Sequence, residues 1–230
     1  MRLRLASYNI RKAVGLDWRR DPARTLRVIR SLDADIVALQ EADKRLGLRP
    51  AAIPPEAIAR ETDLRPVPLG HSPVSLGWHG NALLVRKSFE VVATRCMELP
   101  GIEPRGCVVV RLGTEAGELT VIGVHLGLRR RCRRLQFFRI LRSLKKPEVE
   151  RAVILGDFNE WSVERGVEPL LPHFRVVSPG NSFHASQPVA PLDRIAIGPR
   201  VALVDAGVEA GPLARRASDH LPIWTEVELR

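Results

Sequence analysis

Polar side chains that can do acid–base or metal chemistry recur where apolar, strand-like runs of this 230-residue sequence begin or end. They comprise carboxylates, amides and two histidines: Asn9, Glu41, His125, Asp157, Asn159, Asp193, Asp219 and His220. Oxygen donors are the ligands that a hard divalent cation prefers, and carboxylates and imidazoles are common general acids and bases. The set predicts a site for metal-assisted acid–base chemistry.

Each of these residues, taken singly, has an ordinary structural explanation. Asn9 could cap a helix, Glu41 could be a solvated strand end, and Asp219 could form an Asx-turn. His125 could be a core histidine, and Asp193 could form a local ion pair. Their recurrence at the ends of apolar runs favours a shared site, because strand ends converge on one edge in layered α/β folds.

Hydrophobic periodicity predicts the elements that must position these side chains. Strands are predicted for LRLASYNI, DIVALQE, ELTVIGVHL and RAVILGDFN, and a hairpin for GTEAG. Helices are predicted for DPARTLRVIRSLDA, capped by Asp21, and for RRCRRLQFFRILRSL, with Leu135, Phe138 and Leu141 on its apolar face. About ten strands without a Ser- or Gly-rich linker predict one α/β domain over residues 1–230, with mixed or antiparallel sheets.

The composition limits the classes of protein to which this chain can belong. Hydrophobic residues make up 45% of it, which suits a folded core and excludes a disordered composition. Three cysteines without a C-x-x-C pair argue against a zinc ribbon or a disulfide framework. The N-terminal stretch has no signal-peptide pattern, and no apolar run has membrane-spanning length, so we expect a cytoplasmic protein.

The formal net charge of +10 favours a polyanionic partner. Nucleic acid, an anionic membrane surface and a phosphate-bearing small substrate all fit, and an Arg-rich composition without functional cause is the alternative. Five arginines cluster directly after VHLGL: Arg129, Arg130, Arg131, Arg133 and Arg134. This cluster predicts either a phosphate-contacting surface near the site or a solvated helix face.

Seven motifs occur in a specific order: SYNIR, DIVALQE, GNALLVR, VHLGL, GDFN, PLDRI and SDHLPI. In this order they resemble the endonuclease/exonuclease/phosphatase superfamily, which includes pancreatic-type deoxyribonucleases, abasic-site endonucleases, inositol polyphosphate 5-phosphatases and neutral sphingomyelinases. The resemblance runs over nearly the whole chain. It implies a four-layer α/β sandwich, in which two packed, mainly antiparallel sheets are flanked by helices.

The resemblance also implies a metal site and a water-activating pair. Glu41 would be the principal ligand of Mg²⁺ or Mn²⁺, with Asn9 and Asp219 in the same metal region. Asp157 and Asn159 would position or deprotonate the attacking water.

Four further residues would bind or polarise the substrate phosphate. Asp193 would orient His220, which would contact the scissile phosphate. His125 resembles the second histidine of the deoxyribonuclease-like members, whereas a tyrosine takes this place in the abasic-site branch. Arg105, in EPRGCVVV, and Asn81, in the GN step, would bind substrate phosphate.

The implied activity is hydrolysis of a phosphate ester by in-line attack of activated water. We expect a monomer without an obligate protein partner, and DNA or RNA as the first candidate substrate. A phospholipid or a small phosphate ester remains open, because the charge suits each of them. A non-enzymatic, nucleic-acid-binding member is disfavoured, because Glu41, Asp157 and His220 are all present. Phe183 could stack on a base or pack on a lipid head group, and Trp18 could be a contact or plain packing.

Overall fold

Twelve strands form two six-stranded sheets in the computed structural model, which describes residues 1–229. The first sheet has the spatial order β11 (Val201–Val208), β12 (Ile223–Leu229), β1 (Arg2–Asn9), β2 (Ile36–Gln40), β4 (Ala82–Arg86) and β3 (Leu64–Pro66). The second has the order β5 (Glu90–Leu99), β6 (Arg105–Thr114), β7 (Gly117–His125), β8 (Ala152–Asp157), β10 (Asp193–Ile197) and β9 (Arg175–Val177).

Within the described residues, five α-helices accompany the sheets: α1 (Pro22–Ser31), α2 (Pro55–Glu61), α3 (Arg130–Ser143), α4 (Lys146–Glu150) and α5 (Ala214–Ala217). Asp21 caps α1 as predicted, since its side chain accepts a hydrogen bond from the Arg24 backbone N–H at 2.9 Å. In the part of the chain that the structure describes, no helix combines the length and the apolar character needed to cross a bilayer.

Both sheets are mixed and mainly antiparallel. β1 runs parallel to β2, and β7 runs parallel to β8, whereas the other neighbouring strands pair antiparallel. Each parallel pair is joined by a helical crossover, through α1 and α3 respectively, as a parallel connection requires. The hairpin predicted at GTEAG is confirmed, because it links the antiparallel strands β6 and β7.

The two sheets pack face to face over a shared apolar core. Leu5 and Ile36 of the first sheet lie in one buried cluster with Val110, Val121 and Leu155 of the second. Two further clusters bury the outer faces of the sheets, one beneath α1 and the other beneath α3. Strands such as β2 and β8 are therefore covered on both faces, which explains why they appear in the sequence as continuous apolar runs.

The face of α3 that packs against the core differs in part from the apolar face predicted from the sequence. Leu135 and Phe138 are about half exposed, at 51% and 49%, whereas Phe137 and Ile140 are buried. The prediction was wrong for these two exposed residues, whereas Leu141 does pack against the core. It failed because arginine was expected in solvent, and here Arg133 is buried on the core side.

Glu160 neutralises Arg133 and so allows its burial. Its Oε2 atom accepts hydrogen bonds from Arg133 Nη2 at 2.6 Å and Arg130 Nε at 2.9 Å, while Oε1 accepts from Arg130 Nη2 at 2.7 Å. Burial raises the pKa of Glu160, but the Arg130, Ser162 amide and Arg133 hydrogen bonds outweigh it and lower the pKa to about 2. Two of the five clustered arginines thus have a structural partner, and the other three are exposed.

Replacing Glu160 by Gln should destabilise the fold by about 3 kcal/mol at neutral pH, because Arg133 is left buried without its counter-ion. The folded-state pKa lies below the usual 4.5, so the carboxylate stabilises the fold above that pH and its contribution is lost as the pH falls towards 2. Urea unfolding across this range measures both effects. The exposed Glu164→Gln variant is the control, and equal stability of the two variants would contradict the assignment.

Candidate active site

Three of the expected site residues lie side by side across neighbouring strands of the second sheet. Asp157 ends β8 and pairs in register with His125, the last residue of β7, and with Asp193, the first residue of β10. Because β7 is parallel and β10 antiparallel to β8, the ends of two strands and the start of the third meet at one edge. This register delivers two carboxylates and an imidazole to the same place.

The carboxylate of Asp157 is the meeting point of the site and is only 1% exposed. Its Oδ2 atom accepts a hydrogen bond from Asn9 Nδ2 at 3.1 Å and lies 3.3 Å from His125 Nε2 and 3.7 Å from His220 Nε2. Its Oδ1 atom accepts from the backbone N–H of Asn159 at 2.9 Å. Both oxygens are therefore compensated, as a buried carboxylate requires.

Asn159 holds the turn that follows β8. Its backbone has φ 51°, a left-handed conformation that asparagine tolerates, and its Nδ2 atom donates to the Leu126 carbonyl at 2.9 Å. The side chain thereby ties the loop after β8 to the loop after β7. Asn159 lies beside Asp157, as expected, and its described hydrogen bonds are with the backbone and with the Asp157 carboxylate.

His220 is oriented by Asp193. The Asp193 Oδ2 atom lies 2.8 Å from His220 Nδ1 and accepts a hydrogen bond from Ser182 Oγ at 2.5 Å. Burial lowers the pKa of His220, but Asp193 and Asp157 outweigh it and raise the pKa to about 9. His220 is therefore an imidazolium at neutral pH, with one N–H directed at Asp193 and the other towards Asp157.

His125 has the opposite protonation state although it faces the same Asp157 oxygen. Burial lowers its pKa to about 3; Asp157 opposes this shift and Arg105 adds to it. The imidazole is therefore neutral at physiological pH. Because its Nε2 atom faces a carboxylate oxygen, the tautomer with the proton on Nε2 fits this contact.

Asn9, Glu41 and Asp219 lie at the corresponding edge of the first sheet. Asn9 ends β1 and pairs in register with Gln40, the residue before Glu41, while Asp219 precedes β12, the other neighbour of β1. The hydrogen bond from Asn9 to Asp157 crosses from one sheet to the other. The two groups of residues therefore form one site at the seam between the sheets.

The oxygens of Glu41 and Asp219 suit a hard divalent cation, and both already face positive charge. The Glu41 carboxylate contacts the Lys12 ammonium and lies 3.6 Å from Arg45 Nη2, while Asp219 Oδ2 lies 3.5 Å from Arg11 Nε. Both carboxylates are partly exposed, so an ion can reach them from solvent. This donor set fits Mg²⁺ or Mn²⁺.

A separate cluster brings ligand atoms of Asp157, Asp193 and His220 within 4.8 Å of one another. The shortest contact in it is the hydrogen bond between Asp193 and His220, at 2.8 Å. That hydrogen bond already engages one ligand atom of each of these two residues. The metal site expected at Asn9, Glu41 and Asp219 stays a prediction.

Arg105 begins β6 and lines a cleft of about 480 Å³ together with Glu41 and His125. Burial lowers the pKa of its guanidinium, and its buried Nε atom has no hydrogen-bond partner within residues 1–229. An anionic group of a substrate would satisfy it. A larger cleft, of about 680 Å³ beside α1 and α2, contains none of the expected site residues.

Asn81 is placed differently from Arg105. Its Nδ2 atom donates to the carbonyls of Gly106 at 2.9 Å and Trp78 at 3.4 Å, and it does not line the cleft. Both amide protons are therefore used on the backbone around the start of β6. The phosphate contact expected for Asn81 stays a prediction. Its hydrogen bond to the carbonyl of Gly106 supports a role in positioning the backbone next to Arg105.

Five basic residues that line the cleft were not predicted from the sequence: Lys12, Lys44, Arg45, Arg49 and His79. The Arg49 Nη1 atom lies 3.2 Å from His79 Nδ1. A signal for four of them exists in the sequence, because IRKA follows Asn9 directly and DKRLGLR follows Glu41 closely.

The model of the endonuclease/exonuclease/phosphatase family matches residues 6–220 of the chain. The chain is also 29% identical over 223 residues to the uncharacterised protein YbhP of Escherichia coli K12, with 87% of this chain and 86% of YbhP covered.

Solved structures share the fold. The endonuclease/exonuclease/phosphatase of Bacteroides vulgatus superposes with a TM-score of 0.78 at 19% identity, covering 100% of each chain. A mannosyl-6-phosphatase of Bacteroides thetaiotaomicron superposes with a TM-score of 0.76 at 18% identity, covering 99% of this chain and 100% of that one. The four-layer α/β sandwich expected from the sequence is thereby confirmed.

Replacing Asp193 by Asn should lower the pKa of His220 from about 9 towards 6.5 or below, because burial then acts with less opposition. The raised pKa means that the ion pair stabilises the fold below about pH 6.5 and that this contribution is lost as the pH rises through 9. Histidine NMR titration measures the pKa directly. Asp205→Asn, an exposed carboxylate elsewhere, is the control; an unaltered His220 pKa in Asp193→Asn would refute the pairing.

Replacing Glu41 by Gln should weaken Mn²⁺ binding by about tenfold or more, because affinity follows the charge of the ligand set. Isothermal titration calorimetry on the folded variant measures this without any substrate. Equal Mn²⁺ affinities for Glu41→Gln and the Asp205→Asn control would place the metal elsewhere.

Proposed function

The chain belongs to the endonuclease/exonuclease/phosphatase family, and we propose that it is a divalent-metal-dependent phosphodiesterase in which activated water attacks the phosphorus in line. Members of this family hydrolyse phosphate esters, so the chain is an enzyme of that class. The proposal concerns the type of ester, the metal and the roles of the residues.

One observation carries the proposal: the Asp157 carboxylate lies between a neutral and a cationic histidine. The neutral histidine, His125, lines the cleft together with Arg105, whose buried Nε atom has no hydrogen-bond partner within residues 1–229. A carboxylate that does not form one strong ion pair can accept a proton from water. A cationic imidazole and a guanidinium can bind the oxygens of a phosphate. These three functions are what in-line hydrolysis of a phosphate ester needs.

Within this scheme each residue has a defined task. Asp157, positioned by Asn9 and Asn159, accepts the proton of the attacking water. His220, oriented by Asp193, and Arg105 bind the charge that develops on the non-bridging oxygens.

The metal ion would be held by Glu41, Asn9 and Asp219. When bound, Mg²⁺ or Mn²⁺ would supply Lewis-acid stabilisation of the phosphate charge. His125 keeps a neutral N–H directed at Asp157, which orients that carboxylate.

The positive charge of the chain and of its cleft indicates the class of substrate. A net charge of +10 and the five lysines and arginines that line the cleft favour a polyanion, so DNA or RNA is the first candidate, and the enzyme would then be a nuclease. A phospholipid-type diester is the second candidate. One observation favours it: large apolar side chains are exposed on the loops around the site.

Asp157→Asn should lower kcat by about 10²–10⁴-fold, because the proton acceptor is lost while the fold is kept. The assay supplies Mg²⁺ or Mn²⁺ and compares plasmid DNA, RNA, bis-p-nitrophenyl phosphate, p-nitrophenyl phosphate and liposomal phospholipid. EDTA should abolish turnover, and Asp205→Asn should behave as the wild type.

Two outcomes would overturn the proposal. Wild-type protein inert on the whole panel would indicate a binding protein without catalysis. Turnover of p-nitrophenyl phosphate alone would indicate a phosphomonoesterase. Circular dichroism on each variant separates loss of activity from loss of fold.

A further inference from the structure

Six large apolar side chains are exposed on loops around the candidate active site, each with 61–86% of its surface accessible. We call them the apolar rim: Trp18, Leu46, Leu48, Ile102, Leu128 and Trp161. Scattered exposed apolar residues are normal, but a group gathered at one place marks an interaction surface. The position of these six relative to the strand ends therefore matters.

The apolar rim follows the site from strand to strand. Trp18 lies in the segment after β1, Leu46 and Leu48 in the loop after β2, Leu128 after β7 and Trp161 after β8. These are the strands that end at or just before Asn9, Glu41, His125 and Asp157. Ile102 lies just before Arg105, the first residue of β6.

Contacts tie the rim to the site. Ile102 and Leu128 line the same cleft as Arg105 and His125. On the Trp18 side, the Arg11 guanidinium lies 4.5 Å from the ring centroid and 3.5 Å from the Asp219 carboxylate.

A second chain of contacts starts at Trp161, whose ring lies 6.1 Å from the Phe183 ring, which lies 5.0 Å from the His220 ring. Members of the apolar rim on several different loops are therefore connected to residues of the site.

Basic residues flank two leucines of the apolar rim in the loop after β2. The loop after β2 has the sequence KRLGLR over residues 44–49, and its first five residues are exposed. Arg45 and Arg49 line the cleft, while Leu46 and Leu48 project from the same loop. An exposed loop in which cations flank leucines suits a partner whose surface is anionic on the outside and apolar beneath.

Most of the rim is aliphatic, and this decides between two polyanionic partners. Bases of a single strand stack on aromatic or guanidinium planes, which leucine and isoleucine do not offer. Leucine and tryptophan do enter the interfacial region of a bilayer, and nearby lysine and arginine attract anionic head groups. The net charge of +10 agrees with an anionic surface.

We propose that the apolar rim inserts into the surface of an anionic phospholipid bilayer and seats the cleft over the lipid head groups. For its substrate this inference rests on the proposed function, since it makes a lipid phosphodiester the ester that the site hydrolyses. The docking itself depends only on the rim and the charges around it.

The test is vesicle co-sedimentation in EDTA, which stops hydrolysis. Wild-type protein should bind vesicles of equal parts phosphatidylglycerol and phosphatidylcholine, and should bind pure phosphatidylcholine about tenfold less. The double variant Leu46→Ser/Leu48→Ser should bind the anionic vesicles about tenfold less than wild type, because two inserted side chains are lost.

Leu171→Ser is the matched control. Leu171 is 55% exposed and precedes β9, whose Arg175 pairs with Ile197, at the end of β10 opposite Asp193. This variant should bind as the wild type. Thermal unfolding of each variant confirms that the fold is intact.

Three results would overturn the inference: no binding of wild type to anionic vesicles, equal binding by the double serine variant, or an equal loss in Leu171→Ser. A double variant that instead loses affinity for single-stranded DNA, with no vesicle binding by wild type, would assign the rim to nucleic acid. Hydrolysis of bis-p-nitrophenyl phosphate, which needs no membrane, reports separately on the proposed function.

Discussion

The buried carboxylate of Asp157 is the constraint on which the rest of the site depends. A charge removed from water must be compensated by nearby donors, or the group becomes neutral. Its donors come from both sheets: Asn9 from the first, and His125 and the Asn159 backbone from the second. The packing of the two sheets and the geometry of the site are therefore a single requirement.

The two histidines of the site have opposite protonation states because their charged neighbours differ. Both are buried, and both face the same Asp157 oxygen. His220 has a second carboxylate, Asp193, on its other nitrogen, whereas His125 feels the positive charge of Arg105. Burial lowers the pKa of both histidines, but Asp193 and Asp157 outweigh it at His220 and raise that pKa to about 9. At His125, Arg105 adds to the effect of burial, and the pKa falls to about 3.

Much of the architecture could be predicted from the sequence, because buried strands leave continuous apolar runs and polar residues mark their ends. Mixed α/β layers and the convergence of polar strand ends follow from that pattern, and His125, Asp157 and Asp193 do meet. The four-layer sandwich was implied only by the resemblance of the ordered motifs to a family. The face of α3 could not be predicted, since a distant glutamate decides that Arg133 is buried. The basic lining of the cleft was missed for a similar reason: Lys12 has a positive φ, and loop conformation rather than periodicity directs such residues.

The register of β8 must be kept for the site to form, whereas the lengths of the surrounding loops can change. A shift of β8 by one residue against β7 or β10 would turn Asp157 to the other face of its sheet, and the row with His125 and Asp193 would be broken. Insertions in the loops around residues 44–49, 100–104 and 163–173 leave that register untouched. The lineage of such a chain can therefore exchange its recognition surface by altering loop length, while the reacting groups are inherited as one fixed unit.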